Sequence, residues 1–148
     1  MVEEEVAMSI ELRFDSSGVD WDKAVEIFER APLGTRDPEV CERAFNNSYL
    51  VCFAWDGETL IGMARALSDG ERQSVIYDLC ILPEYQGKKL GNRIMTEMLE
   101  RLNTPTTVLW AVPGKESFYA RLGFKPMLTA MARFEDPKSS AAKGYIRL

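Results

Sequence analysis

The chain has 148 residues, 46% of them hydrophobic, and 23 acidic against 18 basic side chains give a formal net charge of −5. That length and apolar share fit one ordinary globular domain over residues 1–148, and the acidic excess argues against nucleic acid, which is normally met by a basic face that releases counterions. Histidine is absent, so Ser-His-Asp and Cys-His nucleophilic machinery is excluded and no metal site is expected.

Cys41, Cys52 and Cys80 are odd in number and widely spaced, with no CxxC pair, which points to reduced thiols in a cytoplasmic protein. The first residues, MVEEEVAMSIELRF, place Glu3, Glu4 and Glu5 where a secretory signal needs positive charge. No apolar run approaches the roughly 18 residues of a membrane span, so no membrane partner is expected.

Residues 6 to 14, VAMSIELRF, alternate apolar and polar side chains with the period of a half-buried strand, ended by Ser16, Ser17 and Gly18. In DWDKAVEIFERAP, Asp20 reads as an N-cap for a helix with an apolar stripe at Trp21, Ala24, Val25 and Phe28, stopped by Pro32. A shorter helix fits DPEVCERAF, capped by Asp37 with Pro38 in its first turn. YLVCFAW and TLIGMARAL then flank DGE, a hairpin signal, and SVIYDLCIL follows a turn at SDGER, so an antiparallel meander is predicted. Its third strand is apolar on both sides, as a central strand covered on both faces would be.

After PEYQGKKLG, the residues Leu90, Ile94, Met95, Met98, Leu99 and Leu102 recur at helical steps. A strand TTVLWAV follows, then a short helix from Glu116 closed by Gly123, then a long last strand FKPMLTAMARF. The tail EDPKSSAAKGYIRL is polar with an apolar tip at Tyr145 and Ile146, suited to an edge strand or a loose end. The pattern is mixed α/β.

The stretch YQGKKLGNRIM carries the chemistry. A glycine-containing turn between a buried strand and a helix exposes backbone N–H groups at the positive end of the helix dipole, which makes an anion site. Lys88, Lys89 and Arg93 add mobile positive charge at its rim. The spacing is neither GxxxxGK[ST] nor GxGxxG. Phosphate binding and a plain capping turn with two exposed lysines both remain open on spacing alone.

DLCILPEYQGKKLGNRIM, followed by FYARLGFKP, resembles the GNAT superfamily of acetyl-CoA-dependent N-acetyltransferases, and is similar to its small bacterial members and the plant serotonin N-acetyltransferases. The likeness covers residues from about Tyr49 to Phe134. It implies a central, twisted, mostly antiparallel sheet of about six or seven strands flanked by about four helices, with acetyl-CoA as acetyl donor and no metal. It also implies that Gln86 opens a pyrophosphate loop in which the amides of Gly87, Lys88, Lys89, Leu90, Gly91 and Asn92 hold the phosphates. Leu79, Cys80 and Ile81 then pair their backbone with the pantetheine arm. One departure stands out: Lys89 occupies the position at which the family pattern has its middle glycine.

Acetyl transfer to an amine needs a neutral amine, stabilisation of an oxyanion and a proton for the departing thiolate. The resemblance gives the proton to Tyr119, whose ordinary pKa of about 10 lies near that of a thiol at about 8.5, and the oxyanion to backbone N–H groups around Leu79. Without histidine, a base must be a carboxylate, or else the amine arrives neutral. Asp78 is the leading candidate because a carboxylate inside VIYDLCIL is out of character for a buried strand. A structural hydrogen-bonding role is the alternative, and strand alternation sets Asp78 opposite Tyr77 and Leu79 unless a bulge turns the strand. Tyr77 and Trp110 could line an acceptor pocket or belong to the core.

Acetylation of a primary amine on a small molecule or peptide is the first reading; a CoA-binding regulatory module without turnover is the second, motivated by Lys89. A phosphate binder unrelated to CoA is the third. The segment MLTAMARF could form a homodimer contact or complete the sheet.

Overall fold

Two aspartates start the first helices by the same local chemistry. Asp20 accepts from the N–H groups of Asp22 and Lys23 ahead of α1 (Trp21–Arg30), and Asp37 accepts from that of Val40 ahead of α2 (Pro38–Asn46). Each carboxylate satisfies amides that have no partner inside the helix. Apolar spacing then buries one stripe: Ala24, Val25, Ile27 and Phe28 on α1, and Cys41 and Phe45 on α2.

The structure is a computed structural model and describes residues 9–148. One compact unit runs up to Leu109 and a second covers Trp110–Leu148. In the first, β1 (Glu11–Arg13), β2 (Leu50–Asp56), β3 (Thr59–Ser68), β4 (Gln73–Ile81) and β5 (Thr106–Val108) lie side by side in chain order. The pairings are antiparallel except the last, which is parallel and needs a crossover. Helix α3 (Leu90–Leu102) supplies it.

Alternation along β2 sends neighbouring side chains to opposite faces. Phe53 faces α1 and α2, its ring 5.4 Å from Phe45 and 5.9 Å from Trp21. Helix α3, packed against β2 and β4, buries Leu90, Ile94, Met95, Met98 and Leu102. Burying each such side chain contributes about 1.5–3 kcal/mol. The sheet thus carries helices on both faces, α1 against β3 and β4 and α3 against β2 and β4.

The second unit holds α4 (Glu116–Ala120) and α5 (Pro137–Ala142). Trp110 packs its ring 5.5 Å from Phe134 and 5.2 Å from Tyr145. Phe118, Tyr119 and Phe124 form a second aromatic group, with successive ring distances of 4.9 and 6.1 Å.

Several expectations need correction. The described residues form five strands, fewer than six or seven. Of the strand expected over residues 6 to 14, only Glu11–Arg13 is one; Ser9 is helical, and residues 6 to 8 lie outside the described residues. TTVLWAV pairs only over Thr106–Val108. Residues 124 to 134 form no strand, turning instead at Leu128 and Thr129. Their alternation marks a surface suited to a sheet, but strand preference depends on a pairing neighbour, Pro126 has no N–H to offer a ladder, and no described strand pairs with them. The tail is neither strand nor loose: Asp136 accepts from the N–H of Ser139 and starts α5.

Candidate active site

The register of β3 against β4 slips beside Asp78. Met63 pairs with Cys80 and Arg65 with Tyr77, so Asp78 and Leu79 together face Ala64. This is a β-bulge, one extra residue on β4, and Asp78 takes it up at φ 62°. Aspartate tolerates the left-handed region better than most residues. The bulge is the condition under which Tyr77 and Asp78 share a face: the Asp78 carboxylate accepts from Arg65 Nε at 2.7 Å, and Arg65 is the cross-strand partner of Tyr77.

The second carboxylate oxygen of Asp78 accepts from Arg36 Nη1 at 3.0 Å. Arg36 comes from the connection between α1 and α2, so a loop from one side of the sheet is tied to the bulge. Both guanidiniums lie over aromatic rings, Arg36 at 4.3 Å from the Phe28 centroid and Arg65 at 5.0 Å from that of Tyr77. Neither Arg36 nor Arg65 was singled out from sequence. A charge inside TLIGMARAL is the same out-of-place signal as Asp78 on the neighbouring strand and could have found Arg65; nothing local marks Arg36. Gly62 was missed as well. A Cβ there would lie 2.8 Å from the carbonyl oxygen of Cys80, so close pairing at this point depends on glycine.

Beyond the bulge β4 has a neighbour on one side only. β5 pairs with Gln73–Val75 and stops, so from Ile76 to Ile81 that edge of β4 has no strand beside it among the described residues. Leu79, Cys80 and Ile81 lie on this stretch. Cys80 is buried, and burial first, then the Asp78 charge, pushes its thiol far above the usual range, so it stays protonated.

The loop after β4 begins at a short 3-10 turn, Pro83–Tyr85. Arg30 of α1 pairs with Glu84, and the Tyr85 hydroxyl donates to Asp56 at the end of β2. The side chain of Gln86 donates back to the carbonyl of Ile81 at 2.8 Å. Gly87 follows at φ 74° with open space where a Cβ would stand, and Lys89 at φ 64° is the residue that caps α3. The Lys89 side chain makes no capping hydrogen bond to this helix. The first amides of such a helix, at its positive dipole end, are suited to an anion. The left-handed geometry at Lys89 explains why glycine suits this position.

Tyr119 belongs to α4 in the second unit, packed among Phe118 and Phe124. Burial raises its phenol above the ordinary value, so the proton is held at neutral pH. The structure thus gathers Asp78, Leu79, Cys80 and Ile81 on one strand, joins Gln86 to its end and leads into Gly87–Asn92; Tyr119 and Trp110 stand in the other unit.

A family model described as acetyltransferase (GNAT) domain matches residues 21–135. The chain belongs to the GNAT family. Serotonin N-acetyltransferase 2, chloroplastic, of Oryza sativa subsp. japonica is 30% identical over 125 residues, covering 80% of this chain and 62% of that protein. An uncharacterized N-acetyltransferase, ycf52, of Porphyra purpurea is 40% identical over 68 residues, 44% of this chain and 39% of its own. The chain thus spans less than two thirds of the length of these relatives. Among solved structures, a GNAT family acetyltransferase from Streptococcus pneumoniae TIGR4 superposes with a TM-score of 0.70 at 23% identity, covering 85% of this chain and 98% of that one. This likeness is one of fold.

Lys89, at φ 64°, holds a backbone conformation that glycine adopts without strain. Among the described residues no helix is long and apolar enough to cross a membrane, and no group of three or more His, Cys, Asp or Glu side chains gathers as a metal site.

Proposed function

We propose that this chain transfers an acetyl group from acetyl-CoA to a primary amine of a small molecule or peptide. The observation that carries the reading is the continuity of the bulged, half-unpaired strand β4 with the N-terminus of α3. An extended arm fits beside Leu79, Cys80 and Ile81 as an added strand would. A diphosphate fits the amides of residues 87 to 92, with Lys88 and Lys89 supplying charge at the rim. Bound there, acetyl-CoA supplies the acetyl group as an activated thioester.

The chain's own residues do the rest. In this reading a backbone N–H at the bulge, that of Leu79 or a neighbour, meets the developing negative charge. Tyr119 holds a proton at neutral pH and is the donor for the leaving thiolate. Asp78 already accepts from two arginines through both oxygens, so in this reading it positions the bulge and the amine arrives neutral. The three described cysteines are free and buried, which suits a reducing compartment such as the cytoplasm.

Calorimetry with acetyl-CoA, followed by thiol release in the presence of an amine panel, tests this. Binding with amine-dependent release is expected; binding without it would favour a CoA-sensing module. Tyr119→Phe should retain CoA binding and lose about 100-fold in kcat. An unchanged kcat removes Tyr119 from the chemistry.

A further inference from the structure

We propose that Arg36 and Arg65 select acceptors in which the amine is accompanied by an oxyanion, a carboxylate or a phosphate, on the same molecule. The inference deepens the acetyltransferase reading and rests on it.

Two guanidiniums share a single carboxylate at the bulge, Arg36 at 3.0 Å and Arg65 at 2.7 Å from Asp78, and no other ion pair engages either arginine among the described residues. The cluster therefore keeps a net positive charge. Each guanidinium carries five N–H donors in a planar fork, of which Asp78 takes one from each, so among the described residues the remaining donors have no hydrogen-bond acceptor. Their planes are held: Arg65 lies over Tyr77 and Arg36 over Phe28, and only 17% of the Arg65 side chain is exposed. A fork fixed in direction and partly withdrawn from water is the arrangement that binds planar or tetrahedral oxyanions well.

Position supplies the second half of the argument. The cluster is built on the bulge itself, next to Leu79, where the reading above puts the thioester carbonyl. Arg36 reaches it from the α1–α2 connection and is half-exposed, so an incoming molecule meets its fork first. An acceptor bearing only ammonium groups would be repelled there, whereas one carrying an anion is drawn in and turned so that its amine faces the strand. The same positive charge favours the neutral form of a nearby amine, which is the form that attacks. The net charge of the whole chain is −5, but over about 8–10 Å salt screens that field, and the arginine pair governs selection at contact distance.

The test uses matched amines: ω-amino carboxylates of graded length against their amides, and phosphoethanolamine against ethanolamine, each with acetyl-CoA and the full chain. At least one anionic member should exceed its neutral partner about tenfold in kcat/KM, and which arm does so separates carboxylate from phosphate. Arg36→Gln should shrink that ratio about tenfold through KM, and Arg65→Lys, which keeps the charge but loses the fork, should shrink it too. If Arg65→Lys does not fold, Arg36→Gln at its half-exposed position decides. Equal use of both members in every pair, or a ratio untouched by Arg36→Gln, overturns the proposal while leaving the acetyltransferase reading intact. Absence of turnover with every amine overturns that reading itself.

Discussion

Asp78 and Lys89 share nearly the same positive φ, 62° and 64°, in opposite settings. Asp78 sits inside a sheet, its side chain 14% exposed and gripped by two arginines. Lys89 sits in an exposed turn that leads into a helix its own side chain does not cap. The left-handed region costs an ordinary residue about 1–2 kcal/mol. At the bulge, ion pairs and strand pairing enforce it; at the turn, it is the step by which the chain enters α3. The same strain thus belongs to a locked sheet in one place and to the start of a helix in the other.

The sharpest way to break the comparison is Asp78→Ala. Removing the carboxylate leaves two partly buried guanidiniums without a counter-ion and should cost about 3 kcal/mol in urea unfolding. Asp78→Asn, which still tolerates the left-handed region, should cost less. A loss below about 1 kcal/mol for the alanine form would mean that the ion pairs do not enforce the bulge. Gly62→Ala attacks the same place from β3, pressing a methyl on the Cys80 carbonyl; since a backbone atom cannot move aside, about 1–3 kcal/mol should be lost.

Alkaline pH probes the groups packed around the bulge. Burial first, and then the charge of Asp78, pushes the Cys41 thiol up to about 11, and burial pushes Cys52 up to about 12. In the folded state these thiols keep protons that the unfolded chain gives up above about pH 9. Their contribution is therefore complete below about pH 9 and is lost as pH rises through about 11 and then 12. Unfolding free energy should therefore fall across that window, and Cys41→Ala should flatten the slope.

Lys89→Gly is the smallest expected effect. Relief of the left-handed strain, offset by glycine's greater freedom when unfolded, should add about 0.5–1 kcal/mol. Acetyl-CoA titration should show no substantial tightening. A much tighter glycine form would mean that the lysine crowds the phosphates.

Periodicity made much of this legible. The meander, both aspartate caps and the buried stripe of α3 follow from residues close in sequence, and each appears where its pattern puts it. Asp78 announced itself as a carboxylate in an apolar strand, and its alternatives were already those of a bulge. Arg36 could not be read, because it meets Asp78 across 42 residues of chain and only the folded sheet brings them together. The segment 124 to 134 shows the converse failure. Alternation describes which side chains a strand would bury, and here no described strand pairs with it, leaving Leu128 and Met131 more than nine-tenths exposed.

The short turn at Pro83–Tyr85 has one more consequence. Glu84 is fastened to α1 and Tyr85 to β2, while Gln86 is laced to the end of β4. Ordering each residue's backbone costs about 1–2 kcal/mol, and these exposed fastenings offset part of that cost before any ligand arrives. In the proposed reading only the few residues after Gln86 are left to settle on a diphosphate, so contact quality weighs more in its affinity than lost chain freedom.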